Sequence, residues 1–271
     1  MRKNALVVLG SVIIAVLLAM TCAPRLFSSH DPIRIDLAEK LARPGVKHLF
    51  GTDSLGRDMF CRIVYGARVS AAIAISCVFI SSLFGVFLGV TAGYWGGKTD
   101  DIIMRVMDLI MSFPSLILAM GIAAALGPGI RSAIYAVGFV QIPRYARIAR
   151  SSTLYVKEQT FVTASISLGD KSHRIIMVHI LPNILSPLVV QATLGLGSAI
   201  LTVAGLSFLG LGAQPPMPEW GQMIAEGRSL IVSGEWWVAT FPGLAIMLTV
   251  MSFNFVGDGL RDILDPRLRG K

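Results

Sequence analysis

The stretch Glu158-Gln-Thr-Phe-Val-Thr-Ala-Ser-Ile-Ser-Leu-Gly169, continued by Asp170-Lys-Ser-His-Arg-Ile-Ile-Met-Val-His-Ile-Leu-Pro-Asn183, lies between two long apolar runs. It is too polar to cross a bilayer and too apolar to be a bare linker. Phe161, Val162, Ile166 and Leu168 are apolar, then Ile175, Ile176 and Met177, with Gly169 interrupting between them. The pattern predicts two short amphipathic helices, bent at the glycine and lying along a membrane surface. The whole connection from Pro143 to Asn183 is 41 residues, far longer than a bundle needs to turn around. Such a knob suits docking on a partner, or simple anchoring at the interface, and periodicity weighs the two equally.

On both sides of it the chain is strongly apolar. A transmembrane helix needs about 20 mostly apolar residues for a hydrocarbon core about 30 Å thick. Six segments are candidates: Ala5 to Ala23, Val69 to Ala92, Met107 to Leu126, Ile130 to Ile142, Ile184 to Leu209 and Trp236 to Val256. Lipid cannot satisfy open backbone groups, so the expected fold class is an all-α membrane protein with six transmembrane helices. Composition agrees, since 54% of the 271 residues are hydrophobic and 15% charged. Soluble domains carry roughly 25% charged residues. A chain this apolar is not disordered. Its three cysteines, Cys22, Cys61 and Cys77, have neither the even number of a disulfide scaffold nor the C-x-x-C spacing of a zinc site.

Arg2 and Lys3 before the first apolar run raise the possibility of a signal peptide. The run is near full spanning length, however, and Thr21-Cys22-Ala23-Pro24 lacks a small-x-small cleavage site, so an uncleaved anchor is expected.

Basic residues near span ends set the orientation. With the N-terminus inside, the inner face holds Arg2, Lys3, Lys98, Arg105, six residues from Arg144 to Arg174, and Arg261, Arg267, Arg269 and Lys271. The short outer segments hold Arg131 and Arg228, while the long one from Pro24 to Arg68 holds eight, partly offset by Asp31, Asp36, Glu39, Asp53 and Asp58. The short loops agree, so both termini are expected inside. The formal +8 thus reads as topology and not as a nucleic-acid surface. Trp236 and Trp237 at one interface, with Tyr94 and Trp95 at the other, read as interfacial anchors.

No energy source is encoded. Gly97-Lys98-Thr99 resembles the end of a P-loop, but Ala92 stands where its first glycine is needed, and Asp100 and Asp101 put negative charge where phosphate would sit. Asp108 is the nearest candidate for an ion-coupling carboxylate, yet it lies close to the inner interface with Arg105 on the same helical face. His30, His48, His173 and His179 have no metal-ligand spacing. No catalytic residue and no cofactor or metal site follow from these patterns.

Residues 158–169, with His179-Ile-Leu-Pro-Asn183, resemble the "EAA" loop of ABC-importer permeases. Thr163 stands where Glu or Gln is usual, and Ser165 replaces the second Ala. Three further stretches are similar to the second, shorter permease subunit of peptide/nickel importers. They are Leu49-Phe-Gly-Thr-Asp-Ser-Leu-Gly-Arg-Asp58, then Ser207-Phe-Leu-Gly-Leu-Gly212 with Pro218-Glu-Trp-Gly221, and finally Gly257-Asp-Gly-Leu-Arg-Asp-Ile-Leu-Asp-Pro-Arg267. The resemblance covers nearly the whole chain in the expected order.

It implies a type I ABC importer permease architecture, with residues 1–68 as anchor helix plus extracytoplasmic segment. Residues 69–271 would form the transmembrane domain, with a cytoplasmic coupling loop at 143–183. It implies a multi-pass protein of the bacterial inner membrane that moves di- and oligopeptides by alternating access. The implied partners are a second permease subunit (a heterodimer), two cytoplasmic ATPase subunits that bind the ATP and Mg, and an extracytoplasmic binding protein. The residues carried over to ATPase coupling are Glu158, Ala164, Ser165, Leu168, Gly169, His179, Pro182 and Asn183. Gln214 to Gly221 would face the binding protein. Gly195, Gly197, Ser198, Ala199, Thr202 and Gly205 suit the fifth span to close packing. Asp258, Arg261, Asp262 and Asp265 share one face near the C-terminus, a charge ladder or an ATPase contact. Import of nickel or a metal chelate by the same machinery is an open alternative. An ion-coupled carrier would call for a midplane acid or an internal repeat, and a membrane-anchored enzyme would need a larger polar domain.

Overall fold

The computed structural model describes residues 2–28 and 30–264, so Asp265, Arg267, Arg269 and Lys271 lie outside the described residues. Helix α1 (Arg2–Cys22) leads through two short 3-10 turns into α2 (Met59–Trp95). A bent pair follows, α3 (Gly97–Met111) and α4 (Ser115–Leu126), and then α5 (Ile130–Lys157). The short α6 (Thr160–Ser167) precedes α7 (Ser172–Phe208). Two short helices, α8 (Trp220–Gly227) and α9 (Leu230–Ser233), precede the last helix, α10 (Trp237–Leu264).

Several expectations need correcting. Among the described residues four helices, α1, α2, α7 and α10, are long and apolar enough to span, and the bent pair is a fifth if it counts as one span; length and composition alone do not establish the sixth. Met107 to Leu126 is not one helix: α3 and α4 meet at 89°. Pro114 lacks an N–H and disfavours helical backbone at Phe113, which ends α3 one turn earlier. The Ile130 to Ile142 segment belongs to a longer helix that runs through the buried Pro143 to Lys157. Only residues 132–143 of it are continuously uncharged. The connection predicted from Pro143 to Asn183 therefore shrinks at both ends, because α7 begins at Ser172.

Proline is tolerated inside α5 because α2 supports that helix along its length. A Cβ on Gly85 would stand 2.5 Å from the Tyr145 Cβ, one on Gly89 2.2 Å from the Ala146 carbonyl, and one on Gly93 2.8 Å from the Thr153 Cβ. The four-residue spacing puts all three on one stripe of α2, where the backbones meet. The stripe anticipated on α7 packs less closely at Gly197 and Gly205, although Gly195 touches the Tyr145 hydroxyl. Helix α1 lies along α10, with Gly10 against Phe255 and Gly259 against Val7. One apolar core joins α2, α5, α7 and α10 through Cys77, Ala136, Val203 and Trp237. A second, at the α6 end, gathers Val90, Ala149, Val162, Ile175 and Ile184.

Charged and aromatic residues also find partners other than those expected. Asp108 pairs across to Arg147 on α5 at 2.6 Å and not with Arg105, since α3 lies against α5. Trp237 is buried and donates its indole N–H to the Thr52 carbonyl at 3.0 Å, so it pins the chain and is no interfacial anchor. Tyr94 is buried as well, under the Lys157 ammonium. Trp95 and Trp236 remain exposed.

Candidate functional site

Two short helices sit at opposite ends of the bundle. The first, α6, hangs from the end of α5, which is tied down where Lys157 donates to the Tyr94 carbonyl at 2.6 Å. Val162 and Ser165, three residues apart, are the two buried positions of α6. Gly169 has φ of +84°, the left-handed conformation that ends helices. The Gly169 N–H reaches the Ile166 carbonyl at 3.0 Å and the Asp170 N–H reaches Ser165 at 3.2 Å, which satisfies the last carbonyls of the helix. Ser165 then donates its hydroxyl to Asp170 at 2.6 Å, and Arg174 pairs with the other oxygen of that carboxylate at 3.5 Å.

The carried-over residues divide by this geometry. Ser165 and Gly169 build the turn, while Ala164 and Leu168 point outward, Leu168 with 86% of its surface exposed. Glu158 caps α5 and is exposed. His179 lies in a π turn at the start of α7 with its ring 6.1 Å from that of Phe161, and the Asn183 amide donates back to its carbonyl at 2.7 Å. Pro182 is exposed on the same turn. Phe161, Ile166 and Leu168 are exposed on α6, and the exposed Lys171 and Arg174 follow directly after it. A groove of about 780 Å³ beside it is lined by Tyr155, Gln159, Phe161, Asn183, Gln191 and Arg261. Arg261 therefore faces this groove; Asp258 and Asp262 line a neighbouring cleft with α1.

The second short helix, α8, lies at the other end, beneath the cap formed by residues 23–58. Glu219 caps it, accepting from the Gly221 and Gln222 N–H groups at 3.0 and 2.9 Å. Burial pushes the Glu219 carboxyl above its ordinary pKa, against the pull of these two bonds. Its other end is held by Glu226, which accepts from Arg57 at 2.8 Å and from Arg62 at 2.9 Å. Asp53 completes the group, 2.6 Å from Arg57 and 3.3 Å from Arg62. Two guanidiniums against two carboxylates balance to zero, which is what allows Arg62 to be fully buried.

This network accounts for part of the basic excess in the Pro24 to Arg68 segment. Sequence reasoning did not find it. The i,i+4 spacing of Asp53 and Arg57 was a legible signal, but Glu226 is 169 residues from Arg57. The structure brings Leu49-to-Asp58 and Pro218-to-Gly221, two stretches singled out separately, to the same end of the bundle.

Comparison with known proteins places these features in a family. Residues 85–270 match the family described as binding-protein-dependent transport system inner membrane component. The dipeptide transport system permease protein DppC of Alkalihalophilus pseudofirmus is 45% identical over 99% of this chain and 88% of its own length. The di/tripeptide transport system permease protein DppC of Pseudomonas aeruginosa is 47% identical over 82% of this chain and 73% of its own. The glutathione transport system permease protein GsiD of Escherichia coli is 46% identical over 84% and 75%. Among solved structures, a chain of the inward-facing MetNI methionine ABC transporter aligns with a TM-score of 0.62 at 20% identity, over 76% of this chain and 98% of that one. That likeness speaks for the fold alone, the type I ABC importer permease fold. The chain is a member of the binding-protein-dependent transport system inner-membrane component family, a permease subunit.

Proposed function

We propose that the chain is the permease subunit of an ATP-driven importer of di- and oligopeptides, with α6 as its coupling helix. Residues 1–68 supply an anchor helix and an extracytoplasmic segment, and residues 69–271 the transmembrane domain. Both termini and α6 face the cytoplasm, and the cap faces out. A second permease subunit, two ATPase subunits that hold ATP and Mg, and an extracytoplasmic binding protein complete the machine. ATP binding closes the ATPase pair, α6 passes that movement to the spans, and the cap end opens to receive peptide from the binding protein.

The observation that carries this reading is the exposure of Phe161, Ile166 and Leu168 on the short α6, with the exposed bases Lys171 and Arg174 directly after it. Basic residues flank inner span ends. At the other end, Arg57 and Arg62 are neutralised in buried pairs, so the cap is less positive than its composition suggests. The family membership and the names of the relatives support the substrate class and the partners.

The test is purification of the chain with its candidate partners from detergent-solubilised membranes, beside Gly169→Asp. No atom stands within 4 Å of a Cβ at 169, so that variant strains the turn without a clash. An ATP-hydrolysing partner should co-purify with the native chain and be lost or uncoupled in the variant. Reconstituted vesicles should take up dipeptide only with ATP and a loaded binding protein. Uptake without any ATPase would overturn the reading.

A further inference from the structure

Helix α8 is held in two different ways. Towards α2 and the cap its bonds are directional: Glu226 to Arg57 and Arg62, the Trp220 indole N–H to the Ile63 carbonyl at 3.0 Å, and the Trp220 backbone N–H to the Ser70 hydroxyl at 3.5 Å. The start of α10 joins the same body through Trp237 to Thr52 and through Phe50 stacked on Phe241 at 4.2 Å. Towards α7 the contact is smooth. A Cβ on Gly221 would stand 2.4 Å from the Ala204 Cα, and one polar contact crosses, from Ser207 to Glu219. An apolar groove of about 510 Å³ runs along this boundary, with Leu201, Ala204 and Phe208 of α7 on one wall and Ile224, Ile246 and Met247 on the other.

Helix α7 is also the element that joins α6 to this boundary. Its 37 residues run without a break for about 55 Å at 1.5 Å per residue. Near α6 it carries the π turn Ile175–Ile180 and the prolines Pro182 and Pro187, whose missing N–H groups leave backbone bonds unmade and give the rod a place to flex. Directional buried ion pairs fix one arrangement, whereas apolar contact has no preferred direction.

We propose that α7 is a rod that slides at the cap end along a slip plane against α8 and α10, and that Glu226 is the positioning residue that keeps α8 on the cap side of that plane. The proposal rests on the importer reading: displacement of α6 reaches the cap end through α7, while the cap, the start of α2, α8 and the start of α10 stay together.

The experiment uses the complete transporter in vesicles, with Cys22→Ser as background because Cys61 and Cys77 are buried. Leu201→Cys with Met247→Cys crosses the plane, and Phe50→Cys with Phe241→Cys lies within the cap body. A short bifunctional thiol reagent applied to folded protein should cut peptide uptake about tenfold for the first pair, reversed by reductant, and leave the second within about twofold. Glu226→Gln should lower peptide moved per ATP hydrolysed by about fivefold, with an unchanged half-saturating concentration of loaded binding protein, and Glu226→Asp should restore part of it. Full cross-linking of Leu201→Cys to Met247→Cys with uptake unchanged overturns the slip plane. So does a groove that the reagent enters only in the isolated chain, because a partner then fills it. Glu226→Gln with native coupling overturns the positioning role. If the unmodified complex takes up no peptide with ATP and binding protein, the importer reading itself has failed.

Discussion

The two ends of the bundle hold their short helices by opposite means. At the cap end, α8 is gripped by buried charges and hydrogen bonds, each with a set distance and direction. At the other end, α6 is attached by two buried side chains and one glycine turn, and its outer face, which carries Thr160, Thr163 and Ser167 beside Phe161 and Leu168, is open. A buried ion pair is stiff because separating it strands a charge in a low-dielectric interior. A small apolar contact is forgiving, since dispersion falls off without a preferred direction. The contrast separates a part that is positioned from a part that is presented.

The largest expected effect comes from breaking the grip. Arg62→Ala leaves Arg57 alone against Glu226 and Asp53, an uncompensated negative charge in a buried group, and should destabilise the cap end by about 3–5 kcal/mol, seen as a lowered thermal midpoint in detergent. Native-like melting would show that α8 is held by packing alone. Leu168→Ala should leave that midpoint unchanged, because the side chain is almost wholly exposed. It should weaken capture of the ATPase about tenfold, or about 1.4 kcal/mol, in a titration on vesicles. Equal capture would move the proposed docking surface away from α6. Ser165→Ala removes one hydroxyl bond to Asp170 and should cost about 1 kcal/mol, confined to the turn and read as faster amide exchange at residues 160–170.

The smallest effect tests the cap by pH. Partial burial opposes charge on His48, yet its hydrogen bonds to Asp58, at 2.8 Å, and to Glu39 outweigh it and raise its pKa above the ordinary 6.5. A raised pKa means that the stabilisation is complete below about 6.5 and is lost as pH rises through the higher folded value. The hydrogen bond from Lys47, then that from His48, lowers the Glu39 pKa, so its share is present above 4.5 and is lost as pH falls through the lower folded value. Protection of amides in residues 39–58, relative to the intrinsic base-catalysed exchange rate, should therefore fall on the alkaline side, and His48→Gln should abolish that fall. A profile unaltered by the substitution would detach His48 from the cap.

The membrane class, the first apolar helix, the glycine turn at 169 and the surface character of α6 could be read along the chain. Each depends on neighbours within a few residues: apolar run length, helical period, or the freedom of glycine to take positive φ. The limits of that reading are equally local. Uncharged residues 132–143 look like a complete short span, yet α5 runs on through Pro143 because glycines 85, 89 and 93 of α2 support it from outside. Asp108 has Arg105 one turn away and chooses Arg147, since helix-to-helix geometry outweighs nearness in sequence.

Sequence by itself determined that this chain lives in a bilayer and that a knob interrupts its spans. Tertiary structure alone decided which charges are buried, which helices are broken and which of the two short helices is gripped. The physical reason is distance along the chain. Hydrophobic patterning acts on adjacent residues, whereas the pairing of Arg57 and Arg62 with Glu226, or of Trp237 with Thr52, exists only after helices far apart in sequence have packed.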